Sequence, residues 1–413
     1  MELITFEDEF ADRLAPITLA RPAYAISCGG YRLADWLASL GMPVRGVVRP
    51  HLCPIQEADF PGISASGGDP ARGAFLVNAR LVPSASALRR LQSLQRSGQP
   101  GVVRCDGQIA AAWVPSLPGA PPLPWNPQQL REVLDASSLL PAMAPELPLL
   151  QYPHDAIRYH LETLGENLEH RLSLGGYREI RDGVFAARGA RLGEYCSTDT
   201  ASGPILLEER ASAGPFCLLR GPAIIGHDAR LMEHAAVKEG VSIGHTAKIG
   251  GEVEASVVEP YTNKQHHGFL GHSYLGSWVN LGAGTCTSDL KNTYGGVNME
   301  YRGERVRTGM QFLGCIMGDY SKTAVNTGIF TGKTVGVCSM LYGFITANVP
   351  SFVNYARLFG QVAELPPEVM IATQERMFRR RHVALRPCDV QLIHAMYELT
   401  RQERRLAGES LAV

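Results

Sequence analysis

The stretch "ILLEERASAGPFCLLRGPAIIGHDARLMEHAAVKEGVSIGHTAKIGGEVEASVV", residues 205–258, decides the fold. Small or branched apolar residues recur in it every six positions, at Leu207, Ala213, Leu219, Ile225, Leu231, Val237, Ile243, Ile249 and Ala255. A period of six fits neither a helix, with about 3.6 residues per turn, nor the two-residue alternation of a strand. It suits a chain that turns a corner after each short strand, which is a hexapeptide-repeat left-handed parallel β-helix. One residue per hexad then points to the coil axis, and glycine often follows it where the corner needs an unhindered backbone. "IIGHDA", "SIGHTA" and "KIGGEV" show that pair. The pattern resumes at Leu270, Leu275 and Leu281, and again at Leu313, Asp319, Val325, Thr331 and Val337, where Asp319 and Thr331 are poor core residues.

Two polar stretches interrupt the coil: "EPYTNKQHHG" (259–268) and "TSDLKNTYGGVNMEYRGERVRTGM" (287–310). Insertions in repeat proteins are extruded as loops, often on the binding face, so chemistry is sought there. After Pro350 the spacing becomes helical, with a break near Pro387. Before residue 150, strand-like "PVRGVV", "FLVNARLV" and "GVVRCD" alternate with helix-like "YRLADWLASLG" and "ASALRRLQSLQRSG". The expected layout is an α/β domain over 1–150, a connecting helix and linker over 151–182, the coil over 183–349, and a helical segment over 350–413.

The composition excludes several roles. Lys plus Arg number 39 against 40 Asp plus Glu, a net charge of -1, so no global field draws in nucleic acid or an anionic membrane. Nine scattered cysteines without a C-x-x-C pair read as free thiols in a reducing compartment. The acidic start "MELITFEDEF" and the lack of a long apolar run predict a cytoplasmic protein with neither a nucleic-acid nor a membrane partner.

"RLAPITLARPA", with Arg13, Leu14, Pro16, Thr18 and Pro22, resembles the entry signature of the nucleotide-sugar pyrophosphorylases, which implies a Rossmann-like nucleotidyltransferase-like fold. In that family a glycine-rich loop cradles the triphosphate, whereas this chain reads "ITFEDEFAD" with Glu7, Asp8, Glu9 and Asp12, carboxylates that would repel it. Asn78, Ala79 and Arg80 stand where the family ends a strand in Gly-Asp, the Asp holding Mg²⁺, and Ala23 replaces a lysine. The domain is therefore a degenerate member, and Mg²⁺ is implied only if nucleotidyl transfer persists. Arg13, Arg21 and Arg80 are the candidates for contacting a sugar or nucleotide phosphate.

From "GEVEASVVEP" through "NKQHHGFLGHSYLGSWVNLGAGT" to "LGCIMGDY", the chain resembles the acetyltransferase half of the bifunctional N-acetylglucosamine-1-phosphate uridylyltransferase/glucosamine-1-phosphate acetyltransferases. As a whole it is similar to a bacterial group of sugar nucleotidyltransferases that carry such a coil. The resemblance implies acetyl-CoA as acyl donor, an amino-sugar phosphate or nucleotide sugar as acceptor, and a homotrimer with sites between neighbouring coils. It places the general base at His266, with His267 its alternative, since a near-neutral group is needed to take the proton of a sugar amine. Lys264, Asn280, Asp289, Lys291 and Asn292 fall at substrate-binding positions, His267 beside them. Glu254 and Phe269 stand where the family has a lysine and a tyrosine. His272 reads as an outward corner residue, and the three histidines lack the spacing of a metal site. Arg379, Arg380 and Arg381 in "FRRRH" are candidates for the CoA phosphates. Two alternatives stay open: a sugar-1-phosphate nucleotidyltransferase with an atypical phosphate loop, and a non-catalytic trimeric sugar-nucleotide-binding protein.

Overall fold

The computed structural model describes residues 2–67, 71, 73–117 and 120–409. The chain forms two compact units, one of Met1–Leu14 with Ala20–Tyr152, the other of Ala15–Leu19 with Pro153–Val413.

The first unit is built on a six-stranded sheet of β1 (Glu2–Phe6), β2 (Val44–Val47), β3 (Ile63–Ser64), β4 (Ala74–Asn78), β5 (Gly101–Cys105) and β6 (Gln108–Val114). Its order is β3-β2-β1-β4-β6-β5, parallel through β4 and antiparallel at the last two strands. β4 is buried at all five positions, as expected of a strand covered on both faces. Helices α1 (Leu33–Ser39), α2 (Cys53–Asp59), α3 (Ala85–Ser97) and α4 (Pro127–Ser138) belong to this unit. α3 starts on Ser84, whose hydroxyl accepts from Ala87 N–H, and stops at Gly98 in the left-handed conformation.

In the second unit, strands of two to four residues stack in parallel on three faces, giving the left-handed coil that the hexads predict. The first face carries Ile205–Leu207, Ala223–Ile225, Val241–Ile243, Val257–Val258, Tyr274–Leu275, Cys315–Met317 and Lys333–Val335. The second runs from Arg191–Leu192 through Ser212–Ala213, Arg230–Leu231 and Lys248–Ile249 to Asn263–Lys264, and continues through Asn280 to Lys322–Thr323 and Met340–Leu341. The third holds Ser197–Asp199, Leu218–Arg220, Ala236–Val237, Glu252–Glu254 and Phe269–Gly271, then Cys286–Thr287, Gly328–Ile329 and Phe344–Ile345.

Leu207, Ala213, Leu219, Ile225, Leu231, Val237, Ile243 and Ile249 all line the buried axis. The six-step register then slips. Val253 and Val258 take the next core positions, while Ala255 turns a corner at φ +46°. In the last block the core residues are Met317, Ile329, Val335 and Leu341, with Thr323 buried between them, and Val325 is exposed. The core positions continue the six-step register of Leu281 across the insertion, Met317 lying 36 residues further on, so the reading at Asp319, Val325, Thr331 and Val337 falls two residues too late.

The corner glycines serve close approach. A Cβ on Gly226 would lie 2.6 Å from Ile243 O, and one on Gly244 would lie 2.5 Å from the nitrogen of Pro260, each in the next coil. The left-handed backbone falls two residues later, on Asp228 (φ +57°) and Thr246 (φ +60°).

Helix α5 (Asp155–Ser173) packs Leu164 and Leu168 on Leu206 and Ile224 of the first face. After the coil come α6 (Pro367–Arg379), α7 (Pro387–Leu399) and α8 (Arg401–Glu409). A ladder of corner rings, His227, His245, Tyr261 and Trp278, ends on Phe378 of α6, with the last pair 4.3 Å apart. This contact fixes the helix to the coil. Among the described residues no helix is long and apolar enough to cross a membrane.

Candidate active site

The corner between the second and third faces at residues 265–268 is built by Lys264. This lysine occupies an inward position of the hexad, pairing with Ile249 of the coil below, and is only 2 % exposed. Its ammonium donates to Gly250 O at 2.7 Å, Gly268 O at 2.8 Å and His266 O at 3.0 Å. Burial pushes its pKa down to about 8, so at neutral pH it remains mostly charged with its three N–H groups satisfied. Lys264 therefore holds the loop from beneath and has no donor left for a substrate phosphate.

The loop it holds presents two histidines outward. His266 and His267 are exposed, and neither imidazole has a hydrogen-bond partner among the described residues. His267 lies against the next coil, where a Cβ on Gly284 would come within 3.4 Å of its Nε2. At Gly268 (φ +130°) a Cβ would strike Thr285 O at 2.1 Å, so this turn admits only glycine.

From the corner the chain enters the third face at Phe269–Gly271 and leaves it at His272. Cys286 is exposed one coil above, and its sulfur accepts from Phe269 N–H at 3.4 Å. At the far end of the strand, His272 Nδ1 meets Asp289 Oδ2 at 2.8 Å, both side chains largely buried, and the ring stacks on Phe312. A Cβ on Gly271 would lie 2.2 Å from Asp289 Oδ2, so the pairing depends on that glycine. The sequence reading set His272 and Asp289 apart, as a corner residue and a substrate contact. Their separation of 17 residues, nearly one coil, is the signal that could have joined them. Asp289 is thus occupied by His272. Lys291 is half-buried and Asn292 exposed in the turn that follows.

The remaining coil candidates lie on the second face. Asn280 bridges the strands of Asn263 and Lys322, and its Oδ1 is 3.4 Å from Asn263 Nδ2. Arg381 crosses to this face, donating to Asn263 Oδ1 and, at 3.2 Å, to Thr246 O. Arg379 pairs with Glu375 at 2.7 Å on the exposed side of α6, and Arg380 is exposed without a partner among the described residues. Within one chain, His266 and Asp289 therefore border the third face while Asn280 and Arg381 belong to the second.

In the first unit the four acidic residues after β1 are each bound by an arginine. Glu7 accepts from Arg49 Nε at 3.1 Å and from the N–H groups of Arg49 and Ala23 at 2.8 Å; Asp12 accepts from Arg49 Nη1 at 3.0 Å. Glu9 pairs with Arg131 at 3.2 Å. Asp8 receives Arg80 through both oxygens, at 2.8 and 2.7 Å. Arg80 is fully buried and also donates to Leu150 O, Gln151 and Gln108. It is consumed inside the unit and cannot take a ligand phosphate. Arg13 is exposed and lies over the Phe10 ring at 4.5 Å, and Arg21 is half-buried. Asn78 donates its amide to Asp8 and to Ile109 O. With Asp8 taken by Arg80 and an amide donor in place of an acid, these residues do not fit Mg²⁺. No group of three or more His, Cys, Asp or Glu able to hold a metal occurs among the described residues.

Residues 3–172 match the family described as "Sugar nucleotidyl transferase". The chain is 30% identical over 114 residues to the bifunctional sugar-1-phosphate nucleotidylyltransferase/acetyltransferase of Sulfurisphaera tokodaii, covering 27% of this chain and 28% of that one. It is 28% identical over 119 residues to the bifunctional protein GlmU of Methanococcus vannielii, covering 29% and 28%. The matched part thus spans less than a third of the length of these curated relatives. A Francisella novicida UDP-N-acetylglucosamine acyltransferase structure aligns with 53% of this chain and 87% of its own at 12% identity and a TM-score of 0.30. The chain is thus similar to the sugar nucleotidyl transferase family over residues 3–172 and, over 27–29% of its length, to bifunctional nucleotidylyltransferase/acetyltransferases.

Proposed function

We propose that the coil is an acyl-CoA-dependent N-acetyltransferase acting on an amino-sugar phosphate or nucleotide sugar, with His266 as the general base. The observation that carries this reading is the contrast between the loop histidines and the third. Lys264 fixes the backbone of the 265–268 corner, yet the His266 imidazole is exposed and unpartnered, while His272 is committed to Asp289. A base must have a free nitrogen to receive the proton of the sugar amine as the amine nitrogen attacks the thioester carbonyl. The proton goes to His266, the C–N bond forms as the C–S bond breaks, and His266 returns the proton to the departing thiolate, so coenzyme A leaves as the thiol.

The division of candidates between two faces of one coil supports a homotrimer, in which the second face of one copy would meet the third face of another. Asn280 and Lys291 would then contact the acceptor from different chains. Asp289 acts on it only through His272. The saturated arginines around Glu7 and Asp8 argue against retained nucleotidyl transfer in the first unit, and leave it a structural or sugar-binding role. Cytoplasmic placement agrees with nine free thiols.

The test is acetyl transfer from acetyl-CoA to glucosamine 1-phosphate and to UDP-glucosamine by the full chain. His266→Ala should lower kcat/KM by about 10²- to 10⁴-fold, with His267→Ala close to wild type. Turnover unchanged in His266→Ala would refute the assignment of the base. Binding of both sugars with no acetyl transfer at any pH would leave a sugar-binding protein.

A further inference from the structure

Several surface cations along the coil have a carboxylate. Arg171 binds Glu208, Arg188 binds Glu209, Arg210 takes Asp228 through two bonds of 2.7 Å, and Lys238 reaches Glu252 and Glu254. A run of cations on the second face differs from these. Among the described residues, no ion pair engages Arg191, Arg230, Lys248 or Arg381.

These residues form a column. Arg191 pairs in register with Ser212, Ser212 with Arg230, Arg230 with Lys248, and Lys248 with Asn263, to which Arg381 is bonded. Their neighbours Ala213, Leu231 and Ile249 line the coil axis, so the column points outward. Successive coils are about 4.8 Å apart, which spreads the charges from Arg191 to Lys248 over roughly 14 Å. At its lower end lies a cleft of about 450 Å³ lined by Arg191, Arg210, Ser212, Asp228 and Arg230, with Gly189. The one carboxylate there, Asp228, is held by Arg210 and by His227 Nδ1 at 3.1 Å. Lys248 is pushed below its ordinary pKa by burial and then by Arg381, Arg230 and Arg380.

Like charges in register on neighbouring strands destabilise a sheet unless something answers them. Arg188, Arg210 and Lys238 are answered by the coil's own acids, and among the described residues the in-register Arg230 and Lys248, with Arg191, are not. We propose that the column is a binding site for a ligand bearing two or more phosphate groups, with Arg191, Arg230 and Lys248 as its principal contacts. A single phosphate would meet one or two of these cations, whereas phosphates joined in a diphosphate or along a nucleotide span several rungs. Guanidinium forks suit such oxygens through paired, charge-assisted bonds. The site stands independently of acetyl transfer. Its upper end, at Asn263, is three residues from His266, so the ligand's other end has access to the corner loop.

The experiment is calorimetric titration of the full chain with inorganic pyrophosphate, coenzyme A and UDP-N-acetylglucosamine, at low salt and at 0.5 M salt. Binding should weaken steeply with salt. Arg230→Gln and Lys248→Gln should each reduce affinity about tenfold, while Arg188→Gln should not. Coenzyme A binding more tightly than the other two would assign the acyl donor's nucleotide, and UDP-N-acetylglucosamine a nucleotide sugar. Absence of binding by all three at low salt, or binding that neither substitution alters, would overturn the site. So would a fall in oligomer mass in Arg230→Gln with unaltered phosphate affinity, because the column would then face acids of a second copy.

Discussion

The loop after β1 and the corner at residues 265–268 are both polar insertions at the end of a short strand, and they have opposite electrostatics. In the first, side chains answer one another: Glu7 and Asp12 share Arg49, Asp8 takes Arg80, and Glu9 takes Arg131. In the second, one buried ammonium satisfies backbone carbonyls only, and the side chains it supports are left open. In the first loop every carboxylate is taken up by an arginine of the same unit. In the second the backbone is tied while the His266 and His267 imidazoles have no partner among the described residues, which is what the proposed acetyl transfer requires of a base. The same density of polar residues therefore has opposite electrostatic consequences.

The largest expected effect breaks the closed loop. Arg80→Met removes the cation from a fully buried site and leaves Asp8, whose side chain is about 10% exposed, without compensation. Breaking a buried ion pair on one side costs about 3–5 kcal/mol, to be read from urea unfolding of the full chain. Asp8→Asn combined with Arg80→Met should recover part of the loss, since no uncompensated charge then remains. A double variant as unstable as the single one would show that Arg80 acts through packing alone.

Acid should weaken the second unit by a different route. His160 of α5 is fully buried and bonded through Nε2 to Gly240 O at 3.0 Å, and burial pushes its pKa from 6.5 to about 4. Between those values the unfolded chain binds a proton that the folded chain refuses. Stability is therefore intact above about pH 6.5, falls as the pH falls, and levels off below about 4, for a loss of roughly 3 kcal/mol at most. His160→Gln should lower stability at pH 7 and flatten this part of the profile. A wild-type profile level from pH 7 to 4.5 would refute the assignment.

Lys264→Met tests whether the open corner depends on its buried ammonium. Methionine fits the inward hexad position but leaves the carbonyls of Gly250, His266 and Gly268 without their donor. The expected cost is about 2 kcal/mol, measured by thermal unfolding. Acetyl transfer should fall with it through loss of the His266 position. An active, fully stable variant would mean that the corner holds its shape without Lys264.

How far the sequence could be read follows from the same contrast. The coil was legible because a six-residue repeat states its own geometry, and the inward residues from Leu207 to Ile249 match it. It failed at Ala255, where a short corner slips the count, and beyond the 287–310 insertion, where the expected block starts at Leu313 and Asp319 although sixes counted from Leu281 lead to Met317. Lys264 was misread as a ligand contact because a charged residue in a core position contradicts the pattern that locates the core. Its role appears only when the three carbonyls around it are seen. Arg80 and Asp8, 72 residues apart, look like a misplaced cation and a repelling acid, and only the alignment of β1 beside β4 shows that they neutralise each other.

Glu9→Gln, the smallest effect, sharpens the comparison from inside the closed loop. Glu9 and Asp8 are adjacent in sequence and each meets an arginine, but the Glu9–Arg131 pair is 62% and 69% exposed where Arg80 is fully buried. Water and salt already screen the exposed pair, and holding two long side chains together costs entropy, so its loss should change stability by less than about 1 kcal/mol. That change should vanish in 0.5 M salt, whereas the Arg80→Met loss should persist because the buried site excludes mobile ions. If the two substitutions cost the same, burial is not what separates them, and the loop must be held by a cooperative network in which every carboxylate counts equally.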